Sequence, residues 1–124
     1  MTIENQVSGL ELSKRLKELG VKQESYFVWI DSLKGLDSVV ARVDNPHETR
    51  ILCSAFTVAE LGEMLPIFIN GMPIRHRQGG TTIEHRDGDG QLVWGTEMEK
   101  TEADARAKML IYLLEKGLIS EKSI

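Results

Sequence analysis

At 124 residues, with 41% hydrophobic and 27% charged residues, the chain has the composition of an ordinary globular protein with one domain spanning 1–124. The net charge of −4 argues against a nucleic-acid binder that depends on overall positive charge, and the single cysteine, Cys53, excludes an internal disulfide or a Cys-based zinc site within one chain. No apolar run approaches the roughly 20 residues of a membrane span, and the N-terminus lacks a secretory pattern, so we expect a cytoplasmic protein.

The first predicted helix spans residues 8–20. Ser8 and Glu11 have the spacing of a capping box, and Gly20 can supply the left-handed residue that ends a helix. Apolar residues recur at the spacing of one helix face. These positions are Leu12, Leu16 and Leu19.

Three β-type runs follow, at 26–30, 38–43 and 49–55. The first is apolar on both alternate faces, so we expect an inner strand that is covered on both sides. The second and third flank Asn45-Pro46, and the sequence predicts that they pair as a hairpin.

A short middle helix is predicted to begin at Thr57, with Glu60 in the capping-box position, and to end before Pro66. Asn70-Gly71 then gives a turn signal. The next segments predict a three-stranded meander over 72–78, 81–86 and 91–98, if Gly79-Gly80 and Gly88-Asp89 each form a two-residue turn.

This register sorts the meander into an apolar side and a wet side. In it Arg75 lies opposite Glu84, and His85 lies opposite Leu92. The apolar side collects Ile74, His76, Ile83, His85, Leu92 and Trp94. The wet side collects Arg75, Arg77, Thr82, Glu84, Arg86 and Gln91.

Residues 101–119 give the strongest helix signal, with Thr101 as the cap and Gly117 at the end. One narrow sector of the helix is apolar and the opposite sector is polar. The apolar sector holds Ala103, Ala107, Leu110 and Leu114. The polar sector holds Asp104, Lys108, Tyr112, Glu115 and Lys116. The sequence therefore predicts an α+β domain whose mainly antiparallel sheet is packed by a long C-terminal helix, an N-terminal helix and a short middle helix.

Three stretches carry a resemblance to a known family. They are Leu-Lys-Glu-Leu-Gly-Val-Lys-Gln-Glu-Ser at 16–25, Ser-Ala-Phe-Thr-Val-Ala-Glu-Leu-Gly-Glu-Met-Leu-Pro at 54–66, and Thr-Glu-Ala-Asp-Ala-Arg-Ala-Lys-Met-Leu-Ile-Tyr-Leu at 101–113. Together they resemble a family of small uncharacterised bacterial proteins encoded in prophages and mobile elements. The resemblance implies a cytoplasmic, phage-derived accessory protein, and it implies no activity, cofactor or site residue.

His76 and His85 are the candidate metal ligands. The predicted register makes them diagonal neighbours on the apolar side, within reach of one ion, and His47, Asp87 or Asp89 would have to complete the site. Such a centre would make the protein a small metal-dependent hydrolase. Two shielded histidines that bond to backbone carbonyls are the favoured interpretation, because no spacing specifies a third ligand.

Arg75, Arg77 and Arg86 are the candidate phosphate contacts, since they concentrate positive charge on the wet side of an acidic chain. They would make the protein a nucleic-acid-binding module. The favoured interpretation is a solvated face on which Arg75 and Glu84 form a cross-strand pair.

No set of residues combines the converging groups that catalysis requires. Cys53 alternates with Ile51 and Ala55, which predicts a core thiol that is inert. The leading hypothesis is therefore a non-catalytic module without a cofactor, which binds a protein partner or a second copy of itself. The expected contact surface is an exposed edge strand or the flank of the last helix that carries Met109 and Tyr112.

Overall fold

The computed structural model describes residues 2–31, 39–42 and 51–124, and it has the predicted α+β fold with a long C-terminal helix. Its α-helices are α1 (Leu10–Glu18), α2 (Val58–Met64) and α3 (Glu102–Glu115). Its strands are β1 (Phe27–Ile30), β2 (Val39–Arg42), β3 (Ile51–Ala55), β4 (Phe68–Ile69), β5 (Met72–Pro73), β6 (Arg75–Arg77), β7 (Thr82–Arg86) and β8 (Leu92–Gly95). These strands form three antiparallel sheets rather than one, with the orders β2-β1-β3, β4-β5 and β6-β7-β8. No helix in the described ranges combines the length and apolarity needed to span a bilayer.

The start of α1 differs from the prediction. Its N-cap is Gly9, because Ser8 is buried and its Oγ lies 2.6 Å from Ser13 Oγ and accepts from Phe56 N–H at 3.1 Å. The Gly9 N–H donates instead to Asp104 Oδ1 on α3, at 2.8 Å. The carboxylate that satisfies this helix start therefore comes from 95 residues away, where a local capping motif cannot predict it.

The first sheet has β1 at its centre, as predicted for residues 26–30, with β2 and β3 on its two sides. The predicted hairpin between β2 and β3 is wrong, because each of them pairs with β1 and not with the other. Asn45-Pro46 and the predicted turn at 32–35 lie outside the described residues. Trp29 lies opposite Cys53, and both side chains are buried in one core cluster.

The middle helix begins with the predicted capping box. Thr57 Oγ1 accepts from Glu60 N–H at 3.2 Å, and Glu60 Oε1 accepts from Thr57 N–H at 2.9 Å. Gly62 lets α3 approach closely, because a Cβ at this position would meet the guanidinium of Arg106. That guanidinium donates from Nη1 to the Val58 carbonyl at 2.9 Å, so it ties α3 to the first turn of α2.

The meander keeps the predicted first register and changes the second. Arg75 lies opposite Glu84 as predicted, but His85 lies opposite Trp94 instead of Leu92. The turn is longer than predicted, since the backbone bond from Asp87 N–H to Gln91 O encloses three residues, and Gly90 adopts a φ of 81°. A further register shift between His85 and Arg86 then places Leu92 opposite Arg86.

This shift moves Leu92 off the predicted apolar side. A Cβ built on Gly95 would lie 3.4 Å from Leu92 Cδ1 and 3.5 Å from Glu84 Cγ, so Leu92 covers the outer face of the sheet. Ile83 and His85 are buried beneath α3, as predicted.

Helix α3 is buried on more of its circumference than its sequence indicates. Leu110 is fully buried as predicted, and Leu114 packs against the same core while partly exposed. Tyr112, predicted to face solvent, is only 7% exposed, and Met109 is fully buried. Both are covered because α1 and α2 pack against part of the helix and β7 packs against another part. The predicted contact flank carrying Met109 and Tyr112 is therefore wrong.

Candidate functional site

An apolar cleft of about 620 Å³ lies between the β4–β5 hairpin, the β7–β8 turn and the C-terminal end of α3. Its lining is mostly apolar with a few polar groups, which is the usual character of a ligand pocket. The apolar lining residues are Ile69, Met72, Val93, Trp94 and Leu118. The ionisable lining residues are His85, Arg86, Asp87, Tyr112 and Lys116. We call this space the α3 cleft.

A buried histidine–tyrosine pair lies in the α3 cleft. His85 is 6% exposed, and its Nδ1 lies 2.9 Å from Tyr112 Oη. The ring of Trp94 stacks on that of Tyr112, with centroids 4.3 Å apart and planes within 2° of parallel. Burial raises the pKa of Tyr112, so its phenol stays protonated at neutral pH. The cleft therefore contains a buried, pre-positioned hydrogen-bonding pair.

The other candidate metal ligand has different surroundings. His76 lies on the same side of the meander as His85, but it is exposed. Partial desolvation lowers its pKa, and so does the nearby positive charge of Arg106. Within residues 2–31, 39–42 and 51–124, no three His, Cys, Asp or Glu side chains converge to hold a metal ion. His47, one of the proposed completing ligands, lies outside these ranges.

The arginines of the outer face are organised around Glu84. Its carboxylate accepts from Arg86 Nε at 2.7 Å and from Arg77 Nη1 at 3.3 Å, so the ion pairs come from these residues rather than from Arg75. The hydrogen bond from Arg86 is the main cause that lowers the pKa of Glu84. Arg86 also donates from Nη1 to the Gly90 carbonyl at 2.8 Å. Two of the three candidate phosphate contacts are thus engaged within the sheet, which reduces the positive charge that this face presents.

Strand β8 is the open edge of its sheet, with no strand beyond it in the described part of the chain. Leu92 and Val93 on this strand are 55% and 51% exposed. Thr96 N–H bonds to Ile83 O at 3.0 Å, so the alternation of an antiparallel ladder turns the backbone groups of Gly95 away from β7. We call residues 92–95 the β8 edge. It has no charge and no proline, the devices with which many proteins protect such edges.

A larger groove of about 860 Å³ lies between the N-terminal segment and the starts of α2 and α3. Its lining is less apolar than that of the α3 cleft, and Glu102 on this lining already accepts from Arg106 Nη2 at 3.2 Å. Among the residues described, it contains no buried polar side chain that lacks a partner. The α3 cleft is therefore the better candidate for a ligand site.

The lone cysteine is buried, as predicted. Cys53 is 2% exposed, and burial raises the pKa of its thiol, so the reactive thiolate is disfavoured. This environment is that of a structural residue rather than a nucleophile.

Sequence reasoning identified His85 and Trp94 as residues of one side of the meander, but it missed Tyr112 and Lys116 as their neighbours. The helical pattern of α3 does not show that β7 packs against a second side of this helix, and this packing is what brings Tyr112 beside His85. It also missed Val93, because a strict alternation does not predict the register shift that exposes two consecutive apolar residues.

Comparisons with known proteins find no match among family models, curated proteins or solved structures. The resemblance to proteins of prophages and mobile elements stays a prediction. The two surfaces from which a function can be argued are the β8 edge and the α3 cleft.

Proposed function

We propose that this chain is a non-catalytic protein-interaction module that pairs with a second copy of itself through the β8 edge. The observation that supports the proposal is an open strand edge that carries two consecutive exposed apolar residues, Leu92 and Val93. Unpaired backbone N–H and C=O groups on such an edge accept an added strand. Apolar side chains beside it add hydrophobic stabilisation when they are covered.

A second copy suits this edge because an antiparallel strand is complementary to itself about a two-fold axis. If Trp94 lies opposite its own equivalent, Val93 lies opposite Gly95, and the outward backbone groups of both copies meet. In this register Leu92 lies opposite Thr96. The β8 edge has no charged residue, so no like charges face each other in this pairing, although the chain as a whole has a net charge of −4. The two meanders would then form one six-stranded sheet.

The free energy gained by burying the apolar side chains of the β8 edge predicts a weak dimer. Full burial of a leucine or valine stabilises by about 1.5–3 kcal/mol, and Leu92 and Val93 each have about half of that surface left to cover. The two copies together therefore gain roughly 4 kcal/mol from these side chains, against an association cost of about 4–15 kcal/mol. The strand hydrogen bonds must supply the rest, so we expect a dissociation constant in the micromolar range or above.

Sedimentation velocity over a wide range of protein concentration tests the proposal. The wild-type sedimentation coefficient should rise with concentration, and Val93→Lys should stay monomeric because a charge on the β8 edge opposes strand addition. Tyr26→Lys is the matched control, since Tyr26 is a 72% exposed apolar side chain outside the β8 edge. A wild-type protein that stays monomeric, or an equal loss of association in both variants, would contradict the proposal.

The two alternative functions have less support. A metal-dependent hydrolase using His76 and His85 would lack a third ligand, because no three His, Cys, Asp or Glu side chains converge within the described residues. A nucleic-acid module using Arg75, Arg77 and Arg86 would have to compete with Glu84. We also propose a cytoplasmic location and a phage-type accessory role, which rest on the composition and on the resemblance described above.

A further inference from the structure

We infer that the α3 cleft is a binding site for a small carboxylic acid with a compact apolar body. The cleft shares Val93 and Trp94 with the β8 edge proposed for self-association, but its polar groups, His85 and Lys116, lie outside that edge. The inference rests on three features of the cleft: an unpartnered nitrogen of a buried histidine, a lysine that is free to pair, and apolar walls.

The unpartnered nitrogen is Nε2 of His85. The ring is more than nine-tenths buried and borders the cleft, and only Nδ1 has a hydrogen-bond partner in the described part of the chain. The fully enclosed side-chain polar atoms that lack a partner there are Ser54 Oγ, Thr82 Oγ1 and Arg106 Nε. His85 Nε2 is not among them, so it is accessible, and the cleft is the space that the ring borders.

The partner of Nδ1 determines what Nε2 can bind. Burial keeps the Tyr112 phenol protonated, and Nδ1 is the only acceptor within hydrogen-bond distance of that proton in the described residues. With Tyr112 O–H as the donor to Nδ1, the imidazole has its N–H at Nε2. A ligand that fills the cleft displaces water from this N–H, so it must supply an acceptor oxygen of its own, because a donor left without a partner is costly.

One cation at the cleft is free to pair with an anion that supplies this oxygen. Lys116 is the C-cap residue that follows α3, four positions after Tyr112, and it forms no ion pair with the described residues. Asp87 also lines the cleft, but its Oδ1 accepts from the backbone N–H groups of Asp89 and Gln91, at 2.9 Å each. Arg86 is held by Glu84, as shown above. Lys116 is thus the cation left to balance a ligand carboxylate.

The apolar walls define the rest of the ligand. Ile69, Met72, Val93 and Leu118 present no hydrogen-bonding side chain, so they select a hydrocarbon body over a sugar or a nucleotide. An apolar acid with one carboxylate matches the whole site: one oxygen accepts from His85 Nε2, Lys116 supplies the opposite charge, and the body covers the walls.

A matched pair of probes tests this assignment. We would titrate 4-phenylbutanoate and the uncharged 4-phenylbutanamide into the full chain by calorimetry, at protein concentrations where sedimentation shows a monomer. The carboxylate should bind about tenfold more tightly than the amide, and Lys116→Met should weaken its binding about twofold to fivefold, as expected for one exposed charge pair. Lys122→Met is the matched control, since Lys122 is an exposed lysine away from the cleft. It should leave the affinity unchanged.

Side-chain NMR of the wild-type protein supplies a readout that does not depend on a His85 variant remaining folded. The ¹⁵N signal of His85 Nε2 should shift on addition of the carboxylate, whereas the signals of His76 should not. Equal affinity for the two probes, equal effects of the two lysine variants, a stationary His85 signal or no binding at millimolar ligand would each overturn the inference. Because the titrations use the monomer, these results test the cleft whether or not the β8 edge forms a dimer.

Discussion

Tyr112 provides the most demanding test of how α3 is packed. Its place in the helical pattern predicts a solvent-facing side chain, whereas the structure leaves it 7% exposed, stacked on Trp94 and hydrogen-bonded to His85. Removing this side chain should therefore destabilise the fold as strongly as removing a core residue.

The expected losses separate packing from hydrogen bonding. Tyr112→Ala should lower the free energy of unfolding by about 3–5 kcal/mol, the range for truncating a buried aromatic residue. Tyr112→Phe keeps the ring and the contact with Trp94 but leaves His85 Nδ1 without a partner, which should cost about 1–3 kcal/mol. The difference between the two variants measures the contribution of the ring.

Urea unfolding followed by circular dichroism gives both values by linear extrapolation. Lys116→Ala is the control, because it changes an exposed residue just past the end of the same helix, and it should shift stability by no more than about 0.5 kcal/mol. If Tyr112→Ala costs no more than this control, Tyr112 faces solvent and the packing described here is wrong.

Three further predictions follow from individual contacts. The pKa of Glu84 is lowered in the folded protein, so its charge stabilises the fold above the unfolded value of about 4.3, and this contribution is lost as pH falls through the folded pKa. Glu84→Gln should cost about 1.5–3 kcal/mol at pH 7, the range for hydrogen bonds to a charged group, and should flatten the pH dependence of urea unfolding between neutral and acidic pH. Asp104→Ala removes the acceptor of Gly9 N–H and should cost about 1 kcal/mol in the same assay, as for the loss of a helix cap. Cys53 should react with a thiol reagent at least about 100-fold more slowly in the native protein than in denaturant, because exposing it requires opening the core.

Each of these three predictions would be contradicted by one specific result. An unchanged pH profile in Glu84→Gln would mean that the Arg86 pair does not stabilise the fold. Wild-type stability in Asp104→Ala would mean that water replaces the carboxylate at the start of α1. Rapid labelling of native Cys53 would mean that β3 is not covered by the N-terminal segment.

The parts of the fold that local signals specify could be predicted from the sequence. Thr57 and Glu60 are three residues apart, and their reciprocal bonds depend on nothing else. Gly20 and Gly117 adopt the left-handed conformation that ends a helix, with φ of 90° and 68°. The register between β6 and β7 followed from the Gly79-Gly80 turn and from the alternation of apolar and polar residues along these strands.

The rest depends on contacts between distant segments. The hairpin proposed for β2 and β3 fails because β1, which precedes both of them, pairs with each. Tyr112 is buried by the β6-β7-β8 sheet, and the periodicity of α3 does not indicate that this sheet packs against it. The α3 cleft shares this origin: His85 was already a candidate ligand, but Tyr112 and Lys116 join it only once β7 packs beneath α3.

Concentration-dependent hydrogen exchange at the β8 edge tests the central proposal most directly. The outward amide of Gly95 should exchange more slowly as protein concentration rises from the micromolar to the millimolar range, because strand pairing with a second copy would protect it, and Val93→Lys should abolish the slowing. The amide of Phe68, in a segment that is also exposed, should exchange at a constant rate. A rate at Gly95 that stays constant across the whole range would contradict self-association through the β8 edge.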